Sequence, residues 1–382
     1  MKKKPLRRVD KSLLIATILL FILGLIMIFS ASNVTAYIKQ GDSPYAYFIK
    51  QALFLIVGGI MFLVFIHTST KNYRKIFSFL FYGTIFSLGA LLVYGKATNG
   101  ASSWFSILGF GIQPSEFIKV FSIIWLASYY DAKQKSLNSY VTCLYPIFMC
   151  GIAAIFIFLQ PDLGTFIIYS ATIAVIFFAI PMEKNIKNKI LMISFGLVFV
   201  ALLAFSTIGK SIINETQMAR ITEFSNPCSK FITTGNQVCN GYIAINHGGL
   251  FGVGLGNSMQ KYLYLPEPYT DFIFAIIMEE LGLLVSIGII LGLMFVLYRI
   301  IMIGRKSVTN KGAAICYGTA VYIFFHILVN LGGLFGLMPL TGVPLPFMSY
   351  GGSYTISLVI ALIAVQRVHI ETKFHEEQLK NN

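Results

Sequence analysis

The sequence predicts an all-α, polytopic membrane protein with about ten transmembrane helices and a large extracellular loop between helices 7 and 8. Of its 382 residues, 56% are hydrophobic and only 12% are charged, and the mean hydropathy is +0.76. A soluble domain would not tolerate this balance, because its surface needs many more charged residues. Apolar runs of roughly 20 residues, enough to cross about 30 Å of hydrocarbon, recur along the whole length. We therefore expect residues 1–382 to form a single integral membrane domain.

Ten apolar runs qualify as transmembrane spans. They cover residues 13–33, 48–67, 76–95, 114–130, 140–159, 163–180, 189–208, 271–298, 312–336 and 354–368. The first run follows the basic stretch MKKKPLRRVDK, as in a signal peptide, but it is longer than the apolar core of a signal peptide. We therefore expect it to be retained as the first helix.

The lysines and arginines predict the orientation of these spans. Most of the 29 fall on the two termini and on the even-numbered connections, and such an excess marks the cytoplasmic side. We therefore expect a multi-pass protein of the cytoplasmic membrane with both termini in the cytoplasm. The net charge of +14 then reflects this topology and attraction to anionic membrane lipids, and we do not expect nucleic-acid binding.

The connections predicted to face outward hold the most unusual sequence. The longest, residues 209–270, carries the apolar, glycine-rich stretch YIAINHGGLFGVGLGNS, so we expect it to fold over the outer membrane surface. Two shorter outward loops, 96–113 and 337–353, are rich in Gly, Pro, Ser and aromatic residues. We therefore expect the chemistry to take place outside the cell.

The five cysteines fall into two groups. Cys143, Cys150 and Cys316 lie inside predicted spans, where a small apolar filler is the expected role. Cys228 and Cys239 lie in the exported loop, an oxidising location where a disulfide closing a short loop can form, and the sequence leaves the bridged and free states equally open. No Cys and His spacing predicts a metal site, and no cofactor is evident, while a requirement for a divalent metal stays open.

Asp271 is the strongest candidate catalytic residue. It stands where a polar loop enters a long apolar run, with Thr270 before it as a hydroxyl cap, and a carboxylate at a membrane boundary marks a functional site. Glu279 and Glu280 lie deeper in the same predicted helix and on other faces, so we expect both to be buried and hydrogen-bonded to neighbouring helices rather than paired with Asp271. Glu267, one turn before Asp271, is a candidate substrate-binding residue.

Two further predicted helices begin on the outer side with a proline and an acid. Pro114 and Pro161 fall at predicted first helical positions, ahead of Glu116 and Asp162. An acid at a helix start offsets the helix dipole, and for Asp162 this structural role and a functional role both stay open. The free N–H groups at these helix starts also attract phosphate.

Few cations lie near this outer side. Lys119 follows Glu116 by three residues, so the two are candidate substrate-binding residues, with mutual neutralisation as the alternative. Arg220 and Lys261, in or beside the large loop, are candidates for binding an anionic substrate, and a solvated surface charge is the ordinary alternative for both.

Seven segments form an ordered set of motifs on the predicted outward loops and helix starts. They are SAS at 30–32, Asn99-Gly100-Ala101 with Trp104, QPSEFIK at 113–119, QPDLGT at 160–165, GGLFGVGLGNS at 248–258, LPEPYTDFIFAIIMEELG at 265–282 and GLMPLTGVPLPFMSYGGS at 336–353. Together they resemble the SEDS family of peptidoglycan glycosyltransferases over roughly residues 10–370. The chain start and the loop with both exported cysteines resemble the division branch, FtsW, more than the elongation branch, RodA.

The resemblance implies that the chain polymerises lipid II, an undecaprenyl-linked substrate, by β-1,4 glycosyl transfer on the outer face, with undecaprenyl pyrophosphate leaving. The family's essential aspartate falls on Asp271, which would act as general base. Its basic and polar loop positions fall on Arg220 and Lys261, and its acid and nearby lysine fall on Glu116 and Lys119. The implied partners are a class B penicillin-binding transpeptidase and other division proteins.

The chain departs from the family pattern at two positions. Ser103 precedes the loop tryptophan, Trp104, where the family commonly has arginine, which puts any substrate contact by that arginine in doubt. His247 stands where the family often has a small polar residue.

Two other functions stay open. A lipid II flippase would use the charges within the membrane and the Gly- or Pro-broken segments, but the polar residues cluster at one side only. A non-catalytic division scaffold would need only the helices. The glycine run at 248–258 lacks the Gly-Lys-Ser/Thr ending of a phosphate-binding loop, so we do not expect nucleotide binding.

Overall fold

The computed structural model describes residues 5–94, 96–98, 101–107, 110–137, 139–180, 185–190, 192, 228, 236–262 and 264–381. The principal helices in these ranges are α1 (Lys11–Gln40), α2 (Ala46–Phe65), α3 (Tyr73–Tyr94), α4 (Pro114–Ala132), α5 (Tyr140–Leu159), α6 (Leu163–Ala179), α7 (Asn236–Gly248), α8 (Ile273–Arg305), α9 (Asn310–Leu334) and α10 (Gly352–Asn381). All except α7 coincide with predicted spans, which confirms the all-α class. The predicted span 189–208 falls outside the described residues, apart from 189, 190 and 192.

Within the described ranges, seven helices are long and apolar enough to cross a membrane: α1, α2, α3, α5, α8, α9 and α10. α6 is equally apolar but has only 17 residues. α4 carries Glu116, Lys119 and Asp131 and is surrounded by α3, α6, α9 and α10, so most of its side chains are buried. This central position keeps its charged groups away from lipid.

A small antiparallel sheet fills the connection between α3 and α4, which the sequence predicted only as a loop. β1 (Lys96–Thr98) pairs with β2 (Ala101–Ile107), and β2 pairs with β3 (Phe110–Ile112). The Trp104 ring packs on Gly111 of the neighbouring strand. The sheet leads directly into α4: β3 ends at Ile112, Gln113 is the N-cap, and Pro114 is the first helical residue.

α8 is broken at Gly282, and the chain that follows α7 fills the break. Gly282 has φ 78° and ψ 174°, so the helical hydrogen bonds are interrupted there. The glycine-rich segment supplies replacements: Val253 N donates to Glu279 O (2.9 Å), and Leu283 N donates to Gly249 O (3.0 Å). α7 itself packs along α8. The described part of the large loop is thus bound to α8 by main-chain hydrogen bonds.

Gly282→Ala should destabilise the protein by about 1–3 kcal/mol or more, because alanine is strained at this positive φ. Its Cβ would also overlap backbone atoms of Gly252 and Phe251. Gly288→Ala in the same helix is the matched control, since an added Cβ there meets nothing within 4 Å. Thermal unfolding in detergent should show a lowered midpoint for the first variant only. Equal midpoints would contradict this account of the break.

Two polar contacts join α1 to α8 near their opposite ends. Asp10, the N-cap of α1, accepts from Arg299 and forms an ion pair with it. At the other end, Ser30 Oγ donates to the carboxylate of Glu280 at 2.7–2.8 Å. The two helices are therefore held together by side chains on both sides of their apolar segments.

Candidate active site

The N-terminal ends of α4, α6, α8 and α10 meet at one end of the bundle, which we call the mouth. Gln113 at the start of α4 donates to Asp162 Oδ2 at the start of α6 (3.1 Å), and its backbone N–H donates to Ser353 Oγ at the start of α10 (3.0 Å). The α9–α10 loop, residues 335–351, reaches α8 through Ser349 Oγ, which donates to Thr270 O (2.6 Å). Four helix dipoles therefore direct their positive ends toward the mouth.

The acids at these helix starts do not all occupy the predicted positions. Glu116 lies in the first turn of α4 behind Pro114, as predicted. Asp162 is instead the N-cap of α6, accepting from Thr165 N (3.0 Å), so Pro161 precedes the helix rather than opening it. The aspartate takes the cap because its short carboxylate can reach a free N–H group of the first turn.

Asp271 lies at the mouth, half-buried, directly before the N-cap of α8. Thr270 Oγ1 donates to Asp271 Oδ1 (3.0 Å) or to Glu267 O (2.8 Å). The prediction that Thr270 caps α8 is therefore wrong, because its hydroxyl is used within the preceding turn and Phe272 takes the N-cap position. On the other side, an added Cβ at Gly342 of the α9–α10 loop would lie 3.9 Å from Asp271 Oδ2.

Asn330 connects Asp271 to the α9–α10 loop, a role that the sequence did not suggest. Its Nδ2 donates to Asp271 O and to Val343 O, each at 2.8 Å. An amide inside an apolar helix is costly unless it has hydrogen-bond partners. The position of Asn330 in the apolar α9 could therefore have indicated, from sequence alone, that it contacts a polar site. His326 lies one turn earlier on the same helix.

Glu116 and Lys119 form a buried pair inside the bundle rather than an exposed binding group. Lys119 Nζ lies 2.8 Å from Glu116 Oε1 and 3.0 Å from His326 Nε2, and the Lys119 side chain has no exposed surface. The geometry supports mutual neutralisation. Because Lys119 has no exposed surface, its contact with a substrate stays a prediction that requires the surrounding side chains to move.

Lys261 is also buried, so the alternative of a solvated surface charge is wrong for it. Its Nζ donates to Glu280 Oε1 (3.1 Å), Gly256 O (2.6 Å) and Ser30 Oγ (3.4 Å). An ammonium has three N–H donors, and all three are used. Binding a substrate phosphate through Lys261 would require breaking these bonds.

The prediction that Glu279 and Glu280 are hydrogen-bonded in the interior is confirmed. Glu279 accepts from His247 Nδ1 (2.9 Å), Met259 N (3.0 Å) and Ser258 Oγ. Its donors come from α7, through His247, and from the segment that follows the glycine-rich run, while Glu280 accepts from Ser30 of α1. Both glutamates therefore fix the large loop and are not available to act with Asp271.

Two predicted site residues remain, Glu267 and Arg220, and only Glu267 lies among the described residues. Glu267 is exposed near Asp271, where a substrate can reach it. Arg220 lies outside the described residues and stays a prediction. Among the described residues, no group of three or more His, Cys, Asp or Glu side chains is arranged to hold a metal ion.

Three tyrosines pack together beside Asp271. The rings of Tyr47 and Tyr269 lie 4.2 Å apart between centroids, and Tyr350 stands edge-on to Tyr47 at 5.0 Å. Tyr269 also donates its hydroxyl to Tyr47 (2.8 Å). Burial and the neighbouring Tyr47 raise the pKa of Tyr350 to about 12. Its hydroxyl therefore stays protonated under ordinary conditions.

Cys228 and Cys239 are joined by a disulfide with a Cα–Cα distance of 5.1 Å. The bridge attaches position 228 to α7, and through α7 to α8. Replacing both cysteines by serine should lower the free energy of unfolding by about 2–3 kcal/mol, because the unfolded chain gains entropy when the short loop is open. Thermal unfolding with and without a reducing agent measures this. The wild type should respond to the reductant and the double variant should not; equal responses would contradict the assignment.

The family model described as "Cell cycle protein", of the FtsW, RodA and SpoVE group, matches residues 10–374. A probable peptidoglycan glycosyltransferase FtsW from Bacillus subtilis is 35% identical over 388 residues, covering 100% of this chain and 95% of the relative. Stage V sporulation protein E from the same organism is 36% identical over 360 residues, covering 93% of this chain and 94% of the relative.

Solved structures share the fold. A chain from a peptidoglycan synthase complex, in which polymerization and crosslinking are coordinated, matches with a TM-score of 0.73 at 22% identity, over 95% of this chain and 98% of that chain. The rod shape determining protein RodA from Thermus thermophilus matches with a TM-score of 0.65 at 23% identity, over 94% and 96% of the two chains.

Proposed function

The chain belongs to the FtsW, RodA and SpoVE family of cell cycle proteins, and from that premise we propose that it is a peptidoglycan glycosyltransferase. It polymerises lipid II into β-1,4 glycan strands on the outer face of the cytoplasmic membrane during cell division. The observation that carries this proposal is the position of Asp271, half-buried where four helix N-termini meet. That arrangement combines a base with a region that favours negative charge.

Asp271 acts as the general base. It accepts the proton of the acceptor sugar's 4-hydroxyl as that oxygen bonds to C1 of the donor sugar. The bond between C1 and the pyrophosphate oxygen breaks, and its electron pair leaves with undecaprenyl pyrophosphate. A base in this role must lie within hydrogen-bond reach of the hydroxyl. The partial exposure of Asp271 at the mouth supports this role.

The helix starts stabilise the leaving pyrophosphate. The N-termini of α4, α6, α8 and α10 place fixed partial positive charge around the mouth, and such preorganised dipoles favour developing negative charge. We assign Arg220 as a further cation that binds the leaving pyrophosphate. Lys261 acts indirectly, because its ammonium is bound to Glu280 and holds the loop rather than the substrate. We assign the exposed Glu267 to contacts with substrate hydroxyls.

The protein spans the membrane several times, and we place both termini in the cytoplasm and the mouth outside. Its proposed partner is a class B penicillin-binding transpeptidase. The fold match to a chain of a peptidoglycan synthase complex supports this pairing, because strands made at the mouth must then be crosslinked.

A lipid II flippase is the second candidate, and the buried chain from Glu116 through Lys119 to His326 is the observation that favours it. Transporters carry such polar groups near the membrane midplane. Purified protein supplied with labelled lipid II in detergent, alone and with its transpeptidase partner, separates the two. Glycan chains made without a membrane to cross support the polymerase. Lipid II transfer across vesicles without polymerisation would overturn the polymerase proposal. Neither polymerisation nor transfer would overturn it as well, and would indicate a non-catalytic scaffold.

A further inference from the structure

Two successive carbonyl groups of the α9–α10 loop are hydrogen-bonded by two polar side chains of α9. Asn330 Nδ2 donates to Val343 O at 2.8 Å, and His326 Nδ1 lies 3.2 Å from Pro344 O. His326 and Asn330 are four residues apart and therefore lie on one face of the helix. Together they bind the stretch that follows Gly342, where an added Cβ would lie 3.9 Å from Asp271 Oδ2.

The partners of His326 determine which of its ring nitrogens carries the proton. Lys119 Nζ lies 3.0 Å from Nε2, and an ammonium can only donate. Nε2 must therefore accept. Pro344 O can only accept, so Nδ1 must carry the hydrogen. The ring is a neutral imidazole protonated on Nδ1, with both nitrogens used.

The Glu116–Lys119 pair determines which ring nitrogen of His326 accepts a hydrogen bond and which one donates. Glu116 Oε1 accepts from Lys119 Nζ at 2.8 Å, so the two form an ion pair in a site without exposed surface. The charged lysine in turn fixes the tautomer of His326. A buried ion pair on α4 is thereby connected, through one imidazole, to the loop beside Asp271.

We propose that His326 is a positioning residue for Asp271: its Nδ1–H, set by Lys119, holds the α9–α10 loop against the carboxylate. This inference rests on the proposed function, since it assigns Asp271 a reaction to perform. His326 is fully buried, with its ring stacked on Tyr354 at 4.6 Å, so it touches no substrate. Its effect on the reaction is exerted through the loop.

The test compares His326→Leu with His326→Gln in the purified full-length protein on labelled lipid II. Glutamine keeps one acceptor for Lys119 and one donor for Pro344, whereas leucine has a similar volume and neither group. Misplacing a reacting group by about 1 Å costs on the order of 10²-fold in rate, so we expect His326→Leu to lower kcat about 10²-fold with KM nearly unchanged. His326→Gln should recover most of the loss. A leucine variant with wild-type kcat, or a glutamine variant as inactive as leucine, would overturn the proposal.

Two controls keep this outcome separate from other failures. If the wild type polymerises and Asp271→Asn does not, the proposed function stands whatever His326 does; if the wild type is inactive, the proposed function itself fails. Where His326→Leu does not fold, ¹⁵N NMR of the imidazoles in the wild type decides. The chain has only five histidines, and His326→Gln identifies the signal by its loss. A hydrogen on Nδ1 supports the proposal, and one on Nε2 contradicts it.

Discussion

Asp271→Asn should lower the rate of lipid II polymerisation by about 10²- to 10⁴-fold, the usual contribution of a general base. The amide keeps the size of the carboxylate and can still accept from Thr270, so the fold and substrate binding should persist. What it loses is the ability to take the acceptor hydroxyl's proton. The measurement is the amount of glycan formed from purified lipid II per folded protein, at matched thermal stability.

Asp42→Asn is the matched control for this change. Asp42 is an exposed carboxylate in the connection between α1 and α2, and its loss removes the same charge from another part of the surface. Polymerisation should stay at the wild-type level there. Wild-type activity in Asp271→Asn would reject Asp271 as the base, and equal losses in both variants would point to net charge instead.

Lys119→Met should destabilise the protein by about 3–5 kcal/mol, because it leaves the buried Glu116 carboxylate without its counter-ion. Glu116 is 3% exposed, and its second oxygen, Oε2, has no hydrogen-bond partner among the described residues. Thermal unfolding in detergent, followed by loss of soluble folded protein, measures the change.

The double variant Glu116→Gln/Lys119→Met distinguishes the pair from the packing of the lysine stem. Removing both charges removes the uncompensated carboxylate, so stability should return close to the wild type. Activity should not return, since His326 would still lack the donor that fixes its tautomer. A double variant no more stable than Lys119→Met would show that the pair is not the source of the loss.

The helices other than α7 could be predicted from sequence because each is a long apolar run with its own local signals. Pro114 followed by Glu116 marked the start of α4 to the residue. The burial of Glu279 and Glu280 also followed from sequence, since two adjacent acids in an apolar helix need partners. In each case the deciding information lies within one helix.

The parts that were missed depend on residues far apart in the chain. Lys261 resembles any loop lysine, and only the approach of Ser30 and the break at Gly282 create its buried site. The link from His326 to Pro344 likewise depends on how the α9–α10 loop folds back. Such contacts leave no periodic pattern in the sequence, so local reasoning could not show that Lys261 is buried against Glu280.

The paired contacts between α1 and α8 have a consequence for the bilayer. From Asp10 to Ser30 is 20 residues, or about 30 Å along a helix, and the Arg299–Asp10 and Ser30–Glu280 contacts close both ends of that length. Neither helix can tilt or slide alone to suit a thinner or thicker membrane. A hydrophobic mismatch must therefore be met by tilting the two helices together or by deforming the surrounding lipid.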